Sequence, residues 1–151
     1  MNVHVHEVSW ESHQTELRAV RNAVFIEEQN VPRDLEWDGM DETSNHFIAE
    51  TSDGDVIGTA RLMPSGQIGR MAILIPYRGH GIGRRLLDMA IQSASRSGMK
   101  EVFLHAQSYA LEFYLKAGFI ADGLEFEEAG IPHRSMKRST EDRERSIRQS
   151  P

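Results

Sequence analysis

The sequence predicts a single domain of the α/β (α+β) class, a mixed and mostly antiparallel sheet flanked by helices, and three observations carry that prediction. Strand candidates at 46–50, 56–63 and 67–74 follow one another with only tight turns between them. A helix candidate opening at Ile82 and ended by Gly98 places Ile82, Leu86, Leu87, Ala90, Ile91 and Ala94 on one stripe. Arg84, Arg85, Asp88, Gln92 and Arg96 fall mostly outside it. Between the third strand and that helix stands a glycine-rich turn, Arg78, Gly79, His80, Gly81, Ile82, Gly83, Arg84. With 151 residues the chain is long enough to bury roughly 70% of its unfolded surface in one core.

Taken in order, residues 3–8 alternate weakly as a strand. Ser9 or Ser12 caps a helix whose Leu17, Val20 and Val24 share a face, and that helix fades by Asn30 to Pro32. Residues 32–45 are acidic and irregular. The turn at Ser52, Asp53, Gly54 folds the first two central strands into a hairpin, and Pro64, Ser65, Gly66 leads into the third. After the amphipathic helix come a short strand of buried character at 101–105 and a short helix at 109–116 stopped by Gly118. Strands follow from Phe119 onward and at 133–137. Residues 139–151 are charged and nearly free of apolar side chains, so a disordered tail is expected beyond a domain of residues 1–138.

The formal net charge is −6, yet no Asp or Glu occurs from Val56 to Leu87, where Arg61, Arg70, Arg78, Arg84 and Arg85 stand. A positive island of +5 in a chain otherwise at −11 fits one anionic ligand at one place and excludes a broad nucleic-acid surface. Glycines let the backbone approach an anion, and a helix start adds unpaired N–H groups and the positive end of the dipole. The chain has no Cys, hence no disulfide, thiolate ligand or cysteine nucleophile. Met1 to Trp10 lacks the features of a signal peptide, and no apolar run approaches a membrane span; a cytoplasmic protein is expected.

The turn is not a nucleoside triphosphate loop, because Arg84 and Arg85 stand where Lys and Ser or Thr are needed. Nor does it match a dinucleotide fingerprint. Arg84 replaces the third glycine, and three antiparallel strands precede the turn, although Glu101 lies at about the spacing of a ribose contact.

Ile68, Gly69, Arg70, Met71, Ala72, Ile73, running into Tyr77, Arg78, Gly79, His80, Gly81, Ile82, Gly83, resembles the strand and pyrophosphate loop of the GNAT superfamily of acetyl-CoA-dependent N-acyltransferases. A second signature follows at the expected distance: Ala110, Phe113, Tyr114, Lys116, Ala117, Gly118, Phe119. The resemblance covers most of residues 1–138, and residues 24–31 and 125–133 are similar to an uncharacterised bacterial subgroup.

That resemblance implies a GNAT-like fold with acetyl-CoA in a V-shaped opening between the fourth and fifth strands. Main-chain groups of Met71, Ala72 and Ile73 would pair with the pantetheine arm, with the Ile73 N–H stabilising the oxyanion by roughly 3 kcal/mol. Amides from Arg78 through Gly79, His80, Gly81, Ile82 and Gly83 to Arg84 would bind the pyrophosphate, supplemented by the Arg78 and Arg84 side chains. Gln107 stands where relatives often have an Asn touching the cofactor. Tyr114 would donate a proton to the leaving sulfur; an aromatic packed beside Phe113 and Phe119 is the alternative reading.

Some family members carry a glutamate base on the strand where this chain offers Arg70. His133, read as lying in a loop near the active end, is the first candidate for the base; His105, His46, Glu28 and Glu50 stand behind it. His4 and His6 share a strand face without a third ligand, so no metal is expected. Trp10 and Trp37 read as packing residues. Glu36, Asp38, Asp41 and Glu42 read as a solvated loop, or as a reception site for a cationic amine.

The activity implied is direct acetyl transfer from acetyl-CoA to a primary amine of a small molecule or peptide, with neither nucleic acid nor membrane as partner. A homodimer is compatible with the chain. An acyl-CoA-binding sensor domain without catalysis and a nicotinamide-dependent oxidoreductase stay open as alternatives.

Overall fold

Hairpin turns and two amphipathic helices build the fold, in a computed structural model that describes residues 2–141. β1 (Val3–Val8), β2 (Asn45–Thr51), β3 (Val56–Leu62) and β4 (Ile68–Ile73) form one antiparallel sheet in sequence order. In the second sheet β5 (Glu101–Gln107) pairs with β8 (Ile131–Ser139), whose other edge takes β6 (Ile120–Ala121) and β7 (Phe126–Glu128). Among the described residues the sheets join at one parallel bridge, Gln67 to Phe103, where the Phe103 N–H donates to the Gly66 carbonyl at 3.1 Å. Beyond it β4 and β5 run in the same direction unpaired. They part into a V that opens toward Ile73 and Gln107.

Ser9 caps α1 (Trp10–Arg21) by accepting the Ser12 N–H at 3.1 Å. The helix then widens into a π-helical stretch, Asn22–Glu28, in which the Gln29 N–H reaches back five residues to the Val24 carbonyl at 3.0 Å. A short α2 (Arg33–Glu36) follows inside the segment read as irregular. α3 (Ile82–Arg96) buries the expected stripe, with Ile82, Leu86, Leu87, Ala90, Ile91 and Ala94 all at or below 5% exposure. Each larger aliphatic among them contributes roughly 1.5–3 kcal/mol by leaving water.

Strand alternation sorts the core. Phe47 and Ala49 pack with α3, whereas Ile48 packs with Trp10 and Leu17 of α1. Val20 and Val24 meet Ala72 of β4. α4 (Leu111–Lys116) closes the second sheet, with a single 3₁₀ turn, Ser108–Ala110, before it.

Two departures bear on the site. β4 carries a bulge, because Arg61 pairs with Gly69 and Thr59 with Ala72, so one extra residue is accommodated on β4. Arg70 there has φ +50°, and the Thr59 hydroxyl donates to its carbonyl at 2.9 Å. β8 runs on through Ser139, and the Thr140 N–H donates to the Lys100 carbonyl at 3.0 Å. The sheet thus extends into the start of the segment expected as a tail; residues 142–151 lie outside the described residues. Among the described residues no helix is long and apolar enough to cross a membrane.

Candidate active site

Two cavities open into the V. One, of about 510 Å³, is lined by Met71, Ala72 and Ile73 of β4, by Arg78, Gly79, Gly81, Ile82, Gly83 and Arg84, and by Tyr114. These ten residues, assigned from the resemblance to the cofactor and its leaving sulfur, therefore surround one space. His80 is exposed and outside this lining, while Gln107 and His133 line the second cavity, of about 430 Å³. The two share Gln29, Met71, Tyr109 and Tyr114.

Gly79 and Gly81 have φ of +81° and +78°, a region that disfavours any Cβ, and a Cβ built at either meets no atom within 4 Å. Their role is to turn the chain and leave its amides bare. Gly81 is the N-cap residue of α3, so the first N–H groups of the helix lack intrahelical acceptors at the cavity edge.

The arginine island departs from the sequence reading. Arg61 and Arg70 belong to a closed ring of alternating charges: Arg21 to Glu36 (2.7 Å), Glu36 to Arg70 (3.1 Å), Arg70 to Asp38 (3.1 Å), Asp38 to Arg61 (2.8 Å), Arg61 to Asp41 (3.0 Å), and Asp41 back to Arg21 (2.7 Å). Three cations and three anions cancel, and Arg21 is almost wholly buried under Trp10 and Trp37, its Cζ 5.8 and 4.8 Å from their ring centroids. Burial works to raise the Asp38 carboxyl, but hydrogen bonds from Arg61 and the Met40 N–H, with the charges of Arg61 and Arg70, prevail and bring it to about 2. Glu36 and Asp41 are buried and Asp38 is exposed, but all three are held by arginines and are not free to receive an amine; Glu42, also exposed, lies outside the ring. Arg85 donates to the Val3 carbonyl at 2.8 Å, and Arg84 pairs with Asp88 at 3.0 Å.

At the seam between the cavities, the Tyr114 hydroxyl donates to the Met71 sulfur at 3.7 Å. Burial, with the nearby Tyr109, pushes the phenol up to about 12. Its ring also packs edge-on against Phe113 and Phe119, so proton donation and packing are both within its reach.

His133 lies within β8, opposite Gln107 of β5, and not in a loop; the Gly130-Ile131-Pro132 run reads as a break but opens the strand. It nevertheless faces the second cavity, as do His105 and Glu128. His46 does not: its Nε2 bonds the Asp41 carbonyl at 2.8 Å beneath Trp10, and burial holds its pKa down. Glu50 pairs with His6 across the outer strands, and the Arg78 hydrogen bond holds Glu28 below the usual carboxylate range. Neither lines the second cavity. Gln107 bonds the Gln29 amide oxygen at 3.0 Å across the V. Sequence reasoning missed Gln29, Tyr109 and Glu128, although Glu128 lies in the segment similar to the bacterial subgroup. Among the described residues no group of three His, Cys, Asp or Glu side chains is arranged to hold a metal ion.

A bulged fourth strand, a glycine turn opening a buried helix and a fifth strand splayed from the fourth make up a fold shared with N-acyltransferases. The chain belongs to the GNAT acetyltransferase family, whose domain matches residues 12–140. It is 33% identical over 120 residues to the uncharacterised N-acetyltransferase YjcF of Bacillus subtilis, covering 78% of this chain and 86% of that one. To a UPF0039 protein of Mycobacterium tuberculosis H37Rv it is 38% identical over 132 residues, 82% of each. The crystal structure of an acyl-CoA N-acyltransferase from Pseudomonas aeruginosa superposes with a TM-score of 0.80 at 29% identity, covering 91% of this chain and 99% of that one.

Proposed function

We propose that this acyltransferase moves an acetyl group from acetyl-CoA directly to a primary amine of a small molecule or peptide. The observation that carries the reading is the meeting of two cavities at Met71 and Tyr114, one bounded by the glycine turn and the other by imidazoles. The residues present suit the co-substrate: unhindered amides at Gly79, Gly81 and the start of α3 for a diphosphate, and the unpaired side of bulged β4 for an amide-bearing arm. Acetyl-CoA brings an acyl carbon activated as a thioester.

His133 takes a proton from the acceptor amine, so that nitrogen has a lone pair with which to form the C–N bond. The Ile73 N–H is the donor assigned to the developing oxyanion; Tyr114 gives its proton to sulfur as the C–S bond breaks and is reprotonated by the second proton that the attacking nitrogen loses in becoming an amide. No side chain forms a covalent acyl adduct; the chain has no Cys. Supporting the donor, the Pseudomonas relative bears the name of an acyl-CoA N-acyltransferase. A thiol-release assay with acetyl-CoA against a panel of primary amines tests the reading: amine-dependent release is expected, and release no faster than hydrolysis for every amine sinks it.

A further inference from the structure

Two hydrogen-bond acceptors face each other in the second cavity. His133 is 6% exposed, and its Nδ1 lies 2.7 Å from the Ile131 carbonyl oxygen. A carbonyl only accepts, so the ring hydrogen of neutral His133 sits on Nδ1 and Nε2 presents a bare lone pair. Opposite that lone pair, 3.8 Å away, is a carboxylate oxygen of Glu128, Oε2, which also only accepts. The other oxygen, Oε1, takes the His105 Nδ1 at 3.0 Å. The gap between Nε2 and Oε2 therefore suits a group with hydrogens for both.

Charge narrows what that group is. Glu36 and Asp38, the other acids on this cavity, are both held by arginines of the ring, whereas the ion-pair partners of Glu128 among the described residues are imidazoles. Arg61 and Arg70, the cations that line the same space, are committed to Asp38, Asp41 and Glu36. With His133 neutral, what is left is one negative charge beside a lone pair. The backbone sets up this pairing: Ala129 and Gly130, with φ of +53° and +75°, form the two-residue turn that folds β7 onto β8 and places Glu128 opposite Ile131.

We infer that the space between Glu128 and His133 seats the acceptor as an ammonium ion, and that Glu128 selects aliphatic amines with no carboxylate on the amine-bearing carbon. One N–H donates to Glu128 Oε2 and another to His133 Nε2. The proton on the second then passes to Nε2, leaving a neutral amine and an imidazolium beside the Glu128 carboxylate, with charge and atoms conserved. Glu128 is a positioning residue here, because it holds the entering cation and then the cation left on His133. A carboxylate on the same carbon would be brought against Glu128 and repelled. The inference rests on the acetyl-transfer reading only for the steps after deprotonation.

The binding test is made without acetyl-CoA, and thiol release from acetyl-CoA is measured separately. Pentylamine, norleucine (the same amine with a carboxylate on its first carbon) and norleucinamide are titrated into the protein while the ring resonances of His105 and His133 are followed by NMR. Pentylamine and norleucinamide are expected to move both rings, with norleucine binding roughly tenfold or more weakly. Nitrogen shifts are expected to show neutral His133 as the Nδ1–H tautomer, with no hydrogen on Nε2. Glu128→Gln keeps the shape and is expected to bring pentylamine and norleucine within about threefold of each other. Should that variant be misfolded by circular dichroism, Glu128→Asp, which retracts the carboxylate by one methylene, is expected to weaken pentylamine binding while His133 keeps its Nδ1–H tautomer. Equal binding of pentylamine and norleucine, an unchanged preference in Glu128→Gln, unweakened pentylamine binding in Glu128→Asp, or a hydrogen on Nε2 of neutral His133 overturns the inference. Selective binding that depends on Glu128, without thiol release from acetyl-CoA, supports the seat and refutes acetyl transfer. Thiol release indifferent to Glu128→Gln does the reverse.

Discussion

Glu28 grips Arg78 with both carboxylate oxygens, at 2.6 and 2.8 Å, while the Arg78 Nε donates to the Ile73 carbonyl at 2.8 Å. All three residues line the glycine-turn cavity, so a cation at the proposed diphosphate site is already neutralised from the opposite wall. Both side chains are more than a third exposed, which limits the pair to about 1 kcal/mol or less. Glu28→Gln is therefore expected to tighten acetyl-CoA binding by roughly two- to fivefold and to steepen its salt dependence. Calorimetry at two ionic strengths measures both. Weaker binding would mean that Glu28 positions Arg78 and does not compete for it.

Tyr114, raised to about 12, sits well above a free thiol at about 8.5. Complete transfer to a thiolate is uphill by about 5 kcal/mol, so the hydroxyl contributes only while charge develops on sulfur and is reprotonated afterwards. Tyr114→Phe is expected to lower kcat by about a hundredfold and to leave the acetyl-CoA Kd within about twofold. The raised pKa keeps the acid in its active form as pH climbs, so the wild-type rate profile has no alkaline limb from Tyr114 below about pH 11. Stopped-flow rates and equilibrium binding separate the two parameters. Intact kcat would reduce Tyr114 to its packing on Phe113 and Phe119.

Legibility in the sequence tracks the range of the interaction. The α3 stripe, the glycine turn and the hairpin at Ser52 to Gly54 depend on neighbours a few residues apart, and their periods and turn residues appear directly in the chain. The charge ring does not. Arg21, Glu36, Asp38, Asp41, Arg61 and Arg70 come from four different segments, so the arginines read as an anion site and the acids as a loop, although equal numbers of each are a signal. His133 lines the second cavity, but its strand is not legible in the sequence, because Pro132 suggests a break; Pro132 stands next to the first residue of β8, where proline is tolerated. The bulge at Arg70 has no local mark, since a non-glycine residue at φ +50° is held there by Thr59 and the ring.

The ring makes an acid-stability prediction. Asp38 has a folded pKa of about 2 against an unfolded value near 3.9, and Asp41 is lowered as well. A depressed folded pKa means that the stabilisation is fully present above about pH 4 and is lost as pH falls through about 2. Asp38 is exposed, so after discounting for solvent screening it supplies about 1 kcal/mol of it. Thermal melts between pH 5 and about 2 are expected to fall steeply for the parent and less steeply for Asp38→Asn, which starts lower at neutral pH. Parallel curves would show that Asp38 does not carry the dependence.

Gly81 and Gly83 separate folding from binding. Gly81 has φ +78° and open space where a Cβ would stand, so Gly81→Ala is expected to be destabilised by about 1 kcal/mol through backbone conformation alone. Gly81→Asp adds a negative charge beside the amides at the α3 start and is expected to weaken acetyl-CoA binding by about a hundredfold or more. Gly83 is inside the helix, and its Cβ would meet Phe113 Cζ at 3.6 Å, an ordinary contact. Gly83→Ala should thus melt at or slightly above the parent temperature, helped by helix propensity. It nevertheless puts a methyl group where the proposed diphosphate approaches the backbone, and reduced acetyl-CoA affinity without loss of stability is the expected pairing. If calorimetry finds parental affinity in Gly83→Ala and in Gly81→Asp alike, the diphosphate does not rest on this turn.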